Sequence, residues 1–172
     1  MATQHHNISG ELTQELLAPG DNVRMSRISL TNVQKVSKCK VDLYIEKKLT
    51  GKFYLLKQVE LPIGATLIYD DIKFLNGNDE FGLYIKLTDG ATFTLTGAID
   101  PTGTNVNVPG SGTSFLSELS IGDEVVVSGE TRIIDNITSD TAATVSVAWG
   151  SDLANDTTPD CNPTALVDVI IN

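Results

Sequence analysis

The residues able to do chemistry are few and scattered. The two histidines are neighbours, His5-His6. Adjacent positions on an extended segment point to opposite sides, so they do not converge on one metal ion. With no other imidazole in the chain, the Ser-His-Asp, Cys-His and HExxH arrangements have no conventional form. The pair reads as solvated residues of a mobile N-terminal arm. Carboxylates are more numerous. Asp70-Asp71 and Asp79-Glu80 flank Gly77, and convergent acids can hydrolyse glycosides or ligate calcium. Neither pair has EF-hand spacing, and acids also gather at turns because they are soluble there, which is the favoured reading. Asp140, Asp152, Asp156 and Asp160 are read as solvation.

Other chemical signals are weaker. Pro109–Thr113 (PGSGT) lacks the lysine of a phosphate-binding loop and reads as a turn. Cys39 and Cys161 are too few for a disulfide framework or a four-cysteine zinc site. A bridge between them is conceivable, but buried or separate free thiols are favoured, since nothing indicates an oxidising compartment. Asn7-Ile8-Ser9, Asn136-Ile137-Thr138 and Asn155-Asp156-Thr157 match the glycosylation acceptor, a pattern with meaning only in an exported chain. Trp149 reads as core or rim packing, with a sugar platform or partner anchor as the alternative. No catalytic, cofactor-binding or metal-ligating residue is expected, and the chain does not read as an enzyme.

The elements that must carry these residues follow from composition and periodicity. At 172 residues, 41% apolar and 20% charged, the chain has material for a core. Its net charge of −10 is uneven: residues 1–89 balance, whereas residues 90–172 set Arg132 alone against eleven acids. Such an acidic half is repelled by phosphate backbones, so no nucleic-acid partner is expected. No apolar run approaches the roughly 20 residues of a spanning helix. The start, MATQHHNISGEL, lacks the features of a signal peptide. Neither membrane residence nor Sec export is therefore expected.

Period two dominates. Val41, Leu43 and Ile45 alternate with Asp42 and Tyr44; Phe81, Leu83, Ile85 and Leu87 alternate with Gly82, Tyr84 and Lys86; Val167, Val169 and Ile171 close the chain. Phe53–Leu61, Val23–Val33 and Ala65–Phe74 are further strand candidates, with a turn at Asn76-Gly77-Asn78. Glu11–Leu17 reads equally as helix or strand, and Phe115–Leu119 permits one helical turn. Between Gly90 and the turn-rich stretch Gly150–Pro163, candidates at Asn105–Val108, Glu124–Val127, Thr131–Ile137 and Thr144–Trp149 fit a small barrel. Ala165–Ile171 has the pattern of the first half, and placing it beside Phe81–Leu87 makes the acidic segment an insertion in a surface hairpin. The expected fold class is all-β: an antiparallel β-sandwich of residues 1–89 plus 159–172, with a smaller β-barrel-like domain, 90–158, inserted in a hairpin. Consecutive domains 1–90 and 91–172 are the alternative.

Several runs resemble β-sandwich modules of tailed-bacteriophage structural proteins: Glu15–Gly20, Arg24–Asn32, Val41–Ile45, Phe53–Leu67 and Val167–Ile171. The middle segment is similar to a module recurring in phage tail, neck and fibre proteins, through Gly110–Phe115, Ile121–Val125, Gly129–Ile134, Ile137–Thr141 and Thr144–Val147. The resemblance implies a non-enzymatic virion component, such as a capsid decoration, collar or tail accessory protein. Its implied partners are other virion proteins and copies of itself in a symmetric assembly, formed in the host cytoplasm and resident in the virion. It implies no cofactor. The alternative is a glycan- or host-surface-binding module, for which residues 90–172 offer only Phe93, Phe115 and Trp149 as aromatic platforms.

Overall fold

The computed structural model describes residues 3–47, 51–75, 77 and 80–172. Asp79 of the second acid pair, and Asn76 and Asn78 of the turn signal, lie outside the described residues. The fold is all-β. Before Gly90 the strands are β1 (Gln4–Ser9), β2 (Gln14–Leu17), β3 (Arg24–Met25), β4 (Ile28–Asn32), β5 (Cys39–Lys47), β6 (Gly51–Leu61), β7 (Thr66–Tyr69), β8 (Phe74–Leu75) and β9 (Phe81–Thr88). Then follow β10 (Phe93–Thr94), β11 (Ala98–Ile99), β12 (Asn107–Ser111), β13 (Glu124–Val127), β14 (Glu130–Ser139), β15 (Ala142–Val145) and β16 (Asp160–Asn162). β17 (Leu166–Ile171) closes the chain, and one short helix, α1 (Phe115–Glu118), precedes β13.

The chain divides into two compact units: Met1–Gln34 with Lys38–Asp89 and Ala165–Asn172, and Lys35–Ser37 with Gly90–Thr164. The first is sandwich-like. Antiparallel sheets of order β1-β17-β4-β7 and β2-β9-β5-β6 contribute to one buried cluster, beside a two-stranded β3-β8 ribbon. Alternation explains this. Ile28 and Leu30, Val41 and Leu43, Leu83, Ile85 and Leu87, and Val167, Val169 and Ile171 all fall on the inward parity and are buried. Each such side chain contributes about 1.5–3 kcal/mol on burial.

Three expectations change here. The C-terminal strand does not pair beside Phe81–Thr88. It lies between β1 and β4, from Gln4↔Ile171 to Ser9↔Leu166 on one side and Val167↔Asn32 to Ile171↔Ile28 on the other. The strand β9 already has β2 and β5 as neighbours and no free edge. The excursion Gly90–Thr164 therefore runs from one sheet to the other and does not occupy a hairpin. Its end lies at Thr164, not residue 158, because Asp160–Asn162 pairs with β10 and β13. Finally, His5 and His6 are no loose arm: both lie within β1, paired along its whole length.

The second unit is a seven-stranded sheet of order β10-β16-β13-β14-β15-β12-β11. Its core gathers Leu95, Ile99, Val108, Phe115, Leu119, Val125, Val127, Ile134, Val145, Trp149 and Cys161. The strand expected to end at Trp149 stops at Val145, and the expected Asn105–Val108 runs Asn107–Ser111. Trp149 follows in an irregular segment, held in the core by its Nε1–H, which donates to the Asn107 carbonyl at 3.0 Å.

Candidate docking face

The outward face of the β2-β9-β5-β6 sheet is ordered by its register. Tyr54 opposes Tyr44, Tyr44 opposes Tyr84, and Tyr84 opposes Glu15, so one row crosses all four strands. Cross-strand aromatic pairs of this kind stabilise a sheet by several tenths of a kcal/mol each, up to about 1. Tyr44 stacks on Tyr84 at 5.8 Å between centroids with the rings 21° apart, and meets Tyr54 at 5.4 Å, tilted 53°. The Lys52 ammonium sits 4.4 Å from the Tyr44 centroid and donates to its hydroxyl at 3.1 Å, while Lys57 lies 4.2 Å from the Tyr54 centroid. The hydrogen bond to Tyr44 raises the Lys52 pKa. Gly82 makes room for this packing: a Cβ there would meet Tyr84 Cε2 and Oη at 2.8 Å.

The neighbouring position on β5 is Asp42, buried beside a register shift. Gln58 takes φ +53°, a conformation ordinary side chains rarely adopt. Asp42 offsets that strain by accepting from the Gln58 backbone N–H at 2.7 Å, the Gln58 side-chain amide at 3.2 Å and Lys57 Nζ at 2.8 Å. Burial pushes the carboxyl up, but the Lys57 and Gln58 hydrogen bonds outweigh it and hold its pKa below the usual value. Beside the row opens a cleft of about 560 Å³ lined by Thr13, Glu15, Pro19, Tyr44, Glu46, Lys52 and Tyr84. The Tyr84 hydroxyl donates to Glu15 at 2.9 Å; burial and that bond push its pKa up to about 12.

Both sheets of this unit end on the same consecutive pair, β6 and β7, which Pro62–Ala65 connects. Among the described residues, β6 and β7 therefore each leave one edge unpaired, a feature that invites pairing with another chain. This flank exposes large apolar and aromatic side chains among charged ones: Phe53 is 53% exposed and Ile68 48%, with Tyr54, Ile63 and Tyr69 also exposed, beside Lys52, Lys57 and Glu60 on β6. Tyr69 and Phe53 follow the inward parity by register, opposing Ile28 and Ile45. They stay open because no strand lies beyond them in the sheet. The other sheet ends, β1 and β2, carry mostly polar side chains (QHHNIS and QELL), and their exposed positions are polar or charged.

The sequence-derived candidates are dispersed. Asp70 and Asp71 are exposed, and among the described residues no group of three His, Cys, Asp or Glu is placed to hold a metal ion. Cys39 and Cys161 are free, buried and in different units. Burial, then Asp89, pushes the Cys39 thiol up to about 11; burial, then Asp123, pushes Cys161 up as well. Both are thus poor nucleophiles. Trp149 and Phe115 are fully buried, so neither is a sugar platform.

The acids read as solvation have structural partners instead. Asp140 accepts the Leu116 N–H at 3.0 Å, Asp152 that of Gly103 at 3.1 Å, Asp156 that of Ser128 at 2.6 Å, and Asp160 the Thr94 hydroxyl at 2.8 Å. Arg132 bonds Glu130 and the carbonyls of Ala148 and Thr131, with its guanidinium 5.6 Å from the Trp149 ring centroid. The tyrosine row was missed by the sequence reading. Its trace is that Tyr44 and Tyr84 each interrupt a run of inward aliphatics at the outward parity. Comparison with protein-family models, curated proteins and solved structures finds no match for the chain.

Proposed function

We propose that this chain is a non-enzymatic structural component of a tailed-phage particle, docking through its sandwich-like unit and leaving its acidic unit to solvent. The observation that carries the reading is the β6–β7 flank, where two sheet edges and five large exposed apolar or aromatic side chains coincide. Exposed apolar surface on a strand edge is a recognised route to protein association. The resemblance of the strand segments to phage structural modules supplies the particle. Charge is consistent with this division of labour: Gly90–Thr164 carries ten acids against Arg132, a distribution that keeps assembled particles apart in solution.

Purified particles of the encoding phage provide the test. The chain should be present in fixed stoichiometry with the head or tail proteins, as symmetric assemblies require. The double variant Phe53→Asp, Ile68→Asp should fold, because both side chains are about half exposed, yet remain in the unassembled fraction. Absence of the wild-type chain from particles, or incorporation of the double variant at the wild-type level, overturns the reading.

A further inference from the structure

The cleft beside the tyrosine row is separate in chemistry from the β6–β7 flank. Its floor is aromatic, with Tyr84 stacked on Tyr44. Its rim alternates hydrogen-bonding types: the carboxylates of Glu15 and Glu46, the hydroxyl of Thr13 and the ammonium of Lys52. Several ligand classes fit this poorly. An anion would meet Glu15 and Glu46 together. A cation seeking the ring of Tyr44 would find Lys52 already there, 4.4 Å from its centroid. A wholly apolar ligand would strip water from two carboxylates without replacing their hydrogen bonds, a penalty larger for charged groups than for neutral ones. What matches is an uncharged molecule with one C–H face and a periphery of hydroxyls that can donate to carboxylates and accept from an ammonium.

We propose that this cleft binds a neutral oligosaccharide, with Tyr84 as the platform for a sugar ring and Glu15, Glu46, Thr13 and Lys52 as its polar rim. The volume of about 560 Å³ lies within the usual range of small-ligand sites, about 300–1,000 Å³. Tyr84 is held in place for this role from two sides. Its hydroxyl donates to Glu15, and its ring lies over Gly82, where any β-carbon would collide with it. The site is therefore built before the ligand arrives, which limits the ordering entropy lost on binding.

The test uses the full chain, an array of neutral hexose and N-acetylhexosamine oligosaccharides with anionic glycans and basic peptides alongside, and titration of whichever probes bind. Tyr84→Ala should weaken binding roughly tenfold. Glu15→Gln, at an exposed position that leaves the core untouched, should weaken it several-fold and keeps the test valid if Tyr84→Ala fails to fold. Tyr69→Ala, on the opposite sheet, should leave it unchanged. Absence of binding across the array, binding confined to anionic glycans or basic peptides, or wild-type affinity in Glu15→Gln overturns the proposal. None of these outcomes bears on incorporation into particles, so docking and sugar binding stand or fall separately.

Discussion

The two units close loops around similar β cores, but they settle their charges differently. In the sandwich-like unit, three acids pair with lysines, Lys38 with Glu60, Lys47 with Glu80 and Lys57 with Asp42, and four (Glu11, Asp21, Asp42 and Asp89) accept a backbone N–H. Between Gly90 and Thr164 there is no lysine, and six of the ten acids accept a backbone N–H. These are Glu118 from Thr96, Asp123 from Ser120 and Thr164, Glu130 from Gly150, Asp140 from Leu116, Asp152 from Gly103, and Asp156 from Ser128 and Thr158. Backbone N–H groups are thus the main partners of the acids here, whereas the other unit adds ammonium groups to them, and charge-assisted bonds of this kind are the stronger sort. A strongly negative unit can therefore be well ordered. Its acidity is a means of fixing turns as well as a soluble surface.

The largest effect that can sharpen this contrast comes from the acidic unit's core. Trp149→Ala should lower its stability by about 3–5 kcal/mol, the usual cost of truncating a buried large aromatic. It also frees the Asn107 carbonyl and the segment that Arg132 holds. Hydrogen exchange should quicken in Asn107–Ser111 and Ala142–Val145 while the β4–β17 amides keep their protection. Equal loss of protection in both units would break the comparison. Next is Asp123→Ala. Asp123 is fully buried and accepts from Ser120 N at 2.7 Å and Thr164 N at 2.9 Å. Orphaning these donors should cost about 2–3 kcal/mol in chemical denaturation. In contrast, Lys38→Ala, which removes an exposed ion pair, should change stability by less than about 1 kcal/mol.

Acid probes the turn-fixing acids with a smaller effect, and Asp42 gives the sandwich-like unit a depressed carboxyl of its own. The Ser128 N–H, with further bonds from Thr158, holds the Asp156 pKa below its ordinary value. A depressed folded-state pKa contributes stability above the unfolded value of about 3.9, and that stability is lost as pH falls through the folded pKa. Asp156→Asn should flatten this dependence and cost on the order of 1 kcal/mol at neutral pH, like the loss of a helix cap. Thermal melts from pH 7 to 3 would measure it, and an unchanged acid limb would remove Asp156 from the set of turn-fixing acids.

Much of the fold was legible, for a reason that also limits it. Alternation says which side of a strand is inward, so Val41, Leu43, Leu83, Ile85 and Val167 were readable as core. Alternation does not say which strand lies alongside. The C-terminal strand was therefore assigned to the wrong neighbour, although its parity was right. The same gap hid the tyrosine row, since Tyr44, Tyr54 and Tyr84 become one surface only when three strands are in register. Solvation and turn-fixing acids look alike in sequence, because the N–H donors they meet have no side-chain signature. Asp123, two residues after Ile121, carried no mark of its burial.

The smallest effect concerns β1, where the sandwich-like unit leaves a polar atom unmatched. Among the described residues, His6 Nε2 is the one buried side-chain nitrogen or oxygen without a hydrogen-bond partner. Burial, and secondarily the neighbouring His5, lowers the His6 pKa. Because the folded state resists protonation there, it binds fewer protons than the unfolded state between that lowered pKa and about 6.5. Stability therefore rises with pH through this window, is complete above about 6.5, and declines on acidification. The loss should be local. β1 is an edge strand that buries only Ile8, and its amides should exchange faster at pH 5.5 than at 7.5 once intrinsic exchange is corrected, while β4 and β5 amides do not. His6→Leu should abolish the difference by replacing an unmatched polar ring with an apolar side chain. If β1 protection is the same at both pH values in the wild type, His6 is solvated in solution and the sandwich-like unit has no pH-sensitive edge.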